Sequence, residues 1–114
     1  MPNNIQKVLN EFLEKTKVIL GNRLKKVVLY GSYARGNYNK SSDIDIMILT
    51  DLTNKEIKEY SMKIWEISAD IEIDEGIVIS PLIRNIENFN SWVDVKPFYM
   101  NVANEGVVLI GEKN

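Results

Sequence analysis

The segment LYGSYARG, residues 29–36, and the segment SDIDIMIL, residues 42–49, organise the rest of the chain. An apolar run ends abruptly at a glycine and a serine, and after a polar loop a second apolar run opens with two aspartates that are separated by one residue. Because side chains alternate between the faces of a strand, Asp43 and Asp45 would share one face, with their Cα atoms roughly 7 Å apart. The two runs therefore predict strands that bring a glycine–serine turn and a carboxylate pair to one site.

The two carboxylates point to a metal. At such a separation the charges repel each other, and this raises the pKa of one of the two groups. A divalent cation between them removes that penalty, and hard oxygen ligands suit Mg²⁺. An Asp-x-Asp pair is also common on solvated strand edges, so the pair alone is weak support. We predict that Asp43 and Asp45 bind Mg²⁺.

The glycine–serine turn supplies the second half of the predicted site. Gly31 lets backbone N–H groups approach a ligand without a Cβ in the way. The Ser32 hydroxyl and a following helix N-terminus are suitable phosphate contacts, although such a pair often forms only a turn. Arg35 lies near this predicted phosphate site, where it either binds the ligand or forms a surface ion pair. Together with the aspartates, these are the parts that phosphoryl or nucleotidyl transfer needs.

Two residue types are absent from the sequence, which contains no cysteine and no histidine. The absence of cysteine excludes disulfides, thiolate zinc sites and a cysteine nucleophile. The absence of histidine excludes Ser-His-Asp triads and histidine metal ligands. Catalysis must therefore rest on carboxylates, lysine, arginine, hydroxyl groups or a metal, which favours the two-aspartate interpretation.

Length and composition predict one domain of residues 1–114, because 114 residues suffice for a single core. The chain is 45% hydrophobic and 26% charged, an ordinary balance. No apolar run approaches the ~20 residues of a membrane span, and no signal-peptide pattern opens the chain, so we expect no membrane and a cytoplasmic location. The net charge of −2 gives no reason to expect broad nucleic-acid binding.

Periodicity and turn residues predict the remaining elements. Thr53 and Glu56 form a capping-box pattern that starts a helix ending near Ala69, with Trp65 on its core-facing stripe. Ile71 and Ile73 open an alternating pattern that predicts a third strand. The predicted elements are a helix over 4–20, strands over 27–30 and from 43 or 44 to 49, the helix over 53–69, a strand within 71–83, a short helix or turn over 85–92, a helix over 97–105 and a strand over 107–110.

Residues 31–45 carry a resemblance to a known family. The Gly-Ser turn and the Asp-x-Asp pair resemble the signature of the DNA polymerase beta nucleotidyltransferase superfamily, and the short chain is similar to its minimal MNT-type members, which are often paired with HEPN-domain toxins. The resemblance implies an α+β fold in which a small mixed β-sheet is flanked by helices. It also implies that Gly31 and Ser32 hold nucleotide phosphates, that Asp43 and Asp45 bind Mg²⁺, and that a third carboxylate stands on a later strand.

The resemblance also implies a reaction. The chain would transfer a nucleoside monophosphate, AMP from ATP, to a hydroxyl group on a partner protein, as the antitoxin of a HEPN/MNT toxin–antitoxin pair. The alternative is a binding module with the same fold and weak or lost chemistry, which acts by forming a complex with its partner. Its interface would then use exposed side chains among Phe89, Trp92, Phe98 and Tyr99.

The third carboxylate has two candidate positions. Matching the third-strand segment by its glycine, Gly76, puts Ser80 where the family has an acid. Asp74 would serve instead if the site lay at the beginning of that strand. The two positions are six residues apart, or ~20 Å along a strand, so one cannot replace the other.

Overall fold

The computed structural model describes residues 1–112, so that Lys113 and Asn114, the last two residues of the predicted domain, lie outside the described part of the chain. A short 3-10 turn at Gly21–Arg23 connects the first helix to the first strand. The elements are, in chain order, α1 Asn3–Leu20, β1 Leu24–Tyr30, α2 Ser32–Arg35, β2 Ile44–Thr50, α3 Asn54–Glu75, β3 Ile79–Asn85, α4 Ile86–Trp92, α5 Pro97–Glu105 and β4 Val107–Ile110.

The four strands form one mixed sheet in the order β3-β2-β1-β4. Strand β1 runs antiparallel to β2 and to β4, whereas β2 and β3 are parallel. Pro81 lies on the edge strand β3, where a missing backbone N–H does least harm. The predicted α+β fold with a small mixed sheet flanked by helices is confirmed.

Both faces of the sheet are covered, which explains why β2 is apolar almost throughout. Ile44, Ile46 and Ile48 belong to the core under α1 and α3. Met47 and Leu49, on the opposite face, belong to a smaller core with residues of α4 and α5. The strand with the paired aspartates at its start is thus a fixed central element.

The sequence prediction was wrong at the end of α3. The helix does not end near Ala69 but continues to Glu75, and Gly76 ends it in the left-handed conformation with φ 70°. Strand β3 begins only at Ile79. Ile71 continues the helical stripe and is buried, whereas Ile73 is 81% exposed. Because Ile71 and Ile73 are two residues apart, they fit the alternating apolar pattern of a strand although both lie in a helix.

The environments of five aromatic side chains bear on the predictions, and that of Trp65 was predicted wrongly. Trp65 is 52% exposed and is not a core residue, because the buried stripe of α3 passes through its neighbour Ile64. Of the four residues among which an exposed interface was expected, Phe89 and Tyr99 are buried against the sheet. The other two, Trp92 and Phe98, are exposed.

The predicted capping box at the start of α3 is present and takes part in a larger network. The Thr53 side chain accepts a hydrogen bond from the Glu56 N–H, and the Glu56 carboxylate accepts one from the Thr53 N–H. Arg23, just before β1, donates to the Glu56 carboxylate and to Asp51. The network ties the start of β1, the end of β2 and the start of α3 together. Within residues 1–112, none of the helices has the length and hydrophobicity needed to cross a membrane.

Candidate active site

The site begins at Gly31, between β1 and α2. Gly31 has φ 74°, a conformation that side-chain-bearing residues rarely adopt, and a Cβ there would collide with the Asp45 carboxylate. Its carbonyl accepts the Arg35 N–H at 3.1 Å, which closes the single turn of α2. Ser32 is the first residue of that turn. The glycine therefore allows the turn and the aspartate to lie in direct contact.

Strand register brings three polar side chains into one row across the sheet. Tyr30 of β1 pairs with Asp45 of β2, and Asp45 pairs with Ser80 of β3. Directly paired residues point to the same face of a sheet. Asp43, immediately before β2, accepts a hydrogen bond from the Ser80 hydroxyl at 3.2 Å. The structure thus brings Asp43, Asp45 and Gly31 together and adds Ser80.

The Asp45 carboxyl has a pKa above its ordinary value. The main cause is partial burial, which disfavours the charged form, and repulsion from Asp43 raises the pKa further, whereas Arg35 opposes both effects. Two carboxylates in this environment are destabilised by each other's charge. Bound Mg²⁺ would relieve that repulsion, so the donor set fits a hard divalent cation.

A cleft of about 300 Å³ opens beside Asp45. Arg35 lies in its wall and forms an ion pair with Glu105 of α5, with 3.4 Å between Nη1 and Oε2. Both interpretations of Arg35 are therefore compatible with its position, since it forms a surface ion pair next to the aspartate. The lining residues are Tyr30, Gly31, Arg35, Asp45, Phe98, Asn101, Val102 and Glu105.

A second cleft, of about 450 Å³, lies on the other side of the aspartate pair and has Asp43 in its wall. The rings of Tyr33 and Tyr38 are stacked there, with centroids 4.3 Å apart and planes at 10°. The N-terminus of α1 and the loop between α3 and β3 complete the wall. Asp45 therefore lines one cleft and Asp43 lines the other.

The structure excludes one of the two candidate positions for a third carboxylate, Asp74 and Ser80. Asp74 lies in the last turn of α3 and not on a strand, so the prediction of Asp74 as a strand-borne ligand was wrong. Ser80 stands beside Asp45 in the strand register. Among residues 1–112, no group of three or more acidic side chains is placed to hold one metal ion. The site offers two carboxylates and a serine hydroxyl.

Sequence reasoning missed one functional candidate, Glu105. Its side chain reaches Arg35 across 70 positions of the sequence, and only the packing of α5 beside β1 brings the two together. The sequence gives Glu105 as the last residue of a predicted helix and contains no motif around it.

Comparison with known proteins identifies relatives over nearly the whole chain. Residues 5–108 match the nucleotidyltransferase domain family. Putative protein adenylyltransferase MJ0604 of Methanocaldococcus jannaschii is 35% identical over 106 residues, which are 93% of this chain and 98% of the relative. Putative protein adenylyltransferase MJ0141 of the same organism is 36% identical over 90 residues, 79% of this chain and 89% of the relative.

Solved structures show the same fold. A chain from a toxin–antitoxin crystal structure with AMP-PNP superposes with a TM-score of 0.55 at 20% sequence identity, covering 90% of this chain and 73% of the other. A chain of a mutant MntA–HpeT toxin–antitoxin structure gives a TM-score of 0.53 at 19% identity, with 99% and 76% of the two chains covered.

Proposed function

Since the chain belongs to the nucleotidyltransferase domain family and is a nucleotidyltransferase, we propose that it transfers AMP from ATP to a hydroxyl group on a partner protein. In this reaction the acceptor oxygen forms a bond to the α-phosphorus of ATP, and pyrophosphate leaves. The observation that carries the proposal is the contact between the Gly31 turn and the Asp45 carboxylate. It supports the proposal because the turn that would bind the phosphates lies next to a carboxylate that would bind the metal, as transfer from one triphosphate requires.

Each residue of the site has a proposed role. Gly31 and Ser32 bind the β- and γ-phosphates through backbone N–H groups and the hydroxyl. Asp43 and Asp45 hold Mg²⁺, which would neutralise charge on the triphosphate and on the departing pyrophosphate. Arg35, already beside Asp45, exchanges its Glu105 partner for a phosphate oxygen.

Support for ATP and for a protein acceptor comes from the relatives. Proteins that share 35% and 36% of their residues with this chain over most of its length are named protein adenylyltransferases, and a protein of the same fold was crystallised with AMP-PNP. Neighbours in fold also come from toxin–antitoxin complexes. We therefore propose a HEPN-type protein as partner, residues 1–114 as one catalytic domain, and a cytoplasmic location, where ATP is available.

The test is a label-transfer assay with candidate HEPN-type partner proteins. ATP labelled at the α-phosphate should label the partner, whereas ATP labelled at the γ-phosphate should not. Asp43→Asn should reduce the labelling to background, while Asp70→Asn, a matched change on the exposed side of α3, should leave it unchanged. Transfer of the γ-label, or full labelling by the Asp43→Asn variant, would contradict the proposal.

The second candidate function is a catalytically weak binding module, and one observation favours it. Ser80 occupies the register position beside Asp45 where a third carboxylate is expected, and it donates to Asp43. Ser80→Asp would restore an acidic ligand at that position. If the chemistry is weak for lack of this ligand, the variant should label the partner faster than the wild type. If the wild type labels the partner efficiently and Ser80→Asp lowers the labelling rate, the interpretation as a catalytically weak binding module is contradicted.

A further inference from the structure

The solvent face of α3 carries an apolar stripe whose residues line neither of the two clefts at the aspartate pair. Met62 and Trp65 are 61% and 52% exposed, and Ala69 is exposed as well. Steps of three and four residues put these side chains on one side of a helix. The opposite side of α3 is already occupied, since Ile64 and Ile71 are buried in the core. The stripe is therefore a second apolar face, which packing among residues 1–112 does not use.

Charged residues of opposite sign end this stripe. Lys58 lies four residues before Met62, and Glu72 lies three residues after Ala69, and both are exposed. The resulting seam, defined as Lys58, Met62, Trp65, Ala69 and Glu72, has steps of four, three, four and three residues. This is the spacing by which two helices pack side by side in a coiled coil. The seam has a basic end, an apolar middle and an acidic end.

A second copy of the same seam is complementary to it when the two helices run antiparallel. The Lys58 end of one copy then lies over the Glu72 end of the other, at both ends of the interface. In this register Trp65 of each copy lies at the centre of the interface beside its counterpart, and the small Ala69 side chain of one copy lies opposite Met62 of the other. A parallel arrangement would instead put lysine beside lysine and glutamate beside glutamate, which is unfavourable.

We propose that the chain forms a two-fold symmetric homodimer through the α3 seam. The interface is isologous, because the same surface contributes from both copies. One pair of helix faces is smaller than the ~1,200 Å² of a standard stable interface, so the dimer should be reversible and dependent on concentration. Helix α3 covers the face of the sheet opposite to α5, which lines the cleft beside Asp45. In each copy of the dimer, the cleft beside Asp45 therefore lies on the face of the sheet that the seam does not cover.

Analytical ultracentrifugation of the full chain over a wide concentration range tests the proposal. The wild type should shift from monomer to dimer, and Trp65→Gln should weaken the dimer about tenfold or more, because a central tryptophan is a frequent hot spot. Val18→Gln changes a side chain of α1 that is 85% exposed and should leave the equilibrium unchanged. A wild type that is monomeric at every concentration, or a Trp65→Gln variant that dimerises as tightly as the wild type, would overturn the proposal.

A charge exchange tests the antiparallel arrangement. Lys58→Glu should weaken the dimer, and the double variant Lys58→Glu/Glu72→Lys should restore it, because the exchanged charges meet again in the second copy. Failure of the second change to restore dimerisation would rule out the antiparallel seam.

Tryptophan fluorescence distinguishes a second copy from another protein on the seam. The sequence has two tryptophans, so Trp92→Phe leaves Trp65 as the only reporter. Its emission should move to shorter wavelength as the concentration of the chain rises. If the emission shifts only after a different protein is added, the seam belongs to that protein and the homodimer proposal is wrong.

Discussion

At the scale of single residues, Gly31 is the position that allows the turn before α2 to contact the Asp45 carboxylate. Its backbone conformation and its contact with Asp45 each exclude a side chain, for separate reasons. The glycine–serine turn and the Asp-x-Asp pair could be recognised in the sequence because each is a local motif. Their contact could be anticipated from the two motifs together, and the family resemblance already placed Ser80 near them, whereas Glu105 reaches the site only through the packing of α5 beside β1.

Replacing Gly31 by alanine tests both reasons together. Gly31→Ala should destabilise the protein by more than the ~1 kcal/mol typical of a strained left-handed residue, because the added Cβ also displaces the Asp45 carboxylate. Gly36→Ala serves as the reference for a positive φ without a steric contact, since Gly36 has φ 82° and ψ 8° with open space around it, whereas Gly31 has ψ −154°. The measurement is urea unfolding of both variants. Equal losses of stability would mean that the contact between Gly31 and Asp45 has no energetic consequence.

The Ser32 hydroxyl should matter for the nucleotide and little for the fold. A charge-assisted hydrogen bond to a phosphate oxygen contributes ~1.5–3 kcal/mol, so Ser32→Ala should weaken ATP binding in the presence of Mg²⁺ about tenfold or more. The melting temperature of the unliganded variant should stay close to that of the wild type. Calorimetric titration and a thermal melt measure the two quantities. If the affinity for ATP were unchanged and the melting temperature fell strongly, the Gly31–Ser32 turn would have a structural role and would not bind the nucleotide.

At the scale of elements, the network at the start of α3 predicts how stability depends on pH. Hydrogen bonds from Arg23, and then from the Thr53 backbone, lower the pKa of Glu56 to about 2. A carboxyl group whose pKa is lower in the folded state stabilises the fold above its unfolded pKa, and this contribution is lost as the pH falls towards the folded value. Wild-type stability should therefore decline between about pH 4.5 and pH 2, through this group among others.

Glu56→Gln is the variant that isolates the contribution of this group. It should be less stable than the wild type at neutral pH, and the difference should shrink on acidification, because the wild-type carboxylate is then protonated too. Glu59→Gln, an exposed position on the same helix, should track the wild type. Chemical denaturation at several pH values gives the comparison. A gap between Glu56→Gln and wild type that is constant with pH would show that the Arg23 network does not stabilise the ionised Glu56.

The elements also show why sequence patterns succeed in one place and fail in another. The bounds of α5 were predicted correctly because Pro97 starts the helix and Gly106 ends it. Gly106 also marks the point after which β4 begins. The end of α3 was missed because Ile71 and Ile73 fit a strand pattern as well as a helix pattern, and only the packing of Ile71 against the core decides between them. Trp65 was misplaced for a related reason, since one step along a helix turns a side chain by about 100°.

At the scale of the whole molecule, the fold separates the two surfaces for which we propose different roles. The start of β2, the turn before α2 and the last turn of α5 meet at the cleft that holds Asp45 and Arg35. The α3 seam lies on the other face of the sheet. A homodimer through the seam and a nucleotide in the cleft are therefore compatible, and variants of one surface should leave the other unaffected.

The central claim is that Gly31, Ser32, Asp43 and Asp45 form one site for ATP and Mg²⁺, and calorimetric titration of ATP tests it most directly. Removal of Mg²⁺ and Asp45→Asn should each weaken binding by at least about tenfold, or ~1.4 kcal/mol, and the Asp45→Asn variant should have lost its dependence on Mg²⁺. Its unliganded fold should be at least as stable as the wild type, because the substitution removes a half-buried charge that Asp43 repels. Asp70→Asn serves as the matched control and should bind as the wild type does. Equal ATP affinity for the wild type with Mg²⁺, the wild type without Mg²⁺ and the Asp45→Asn variant would contradict the account.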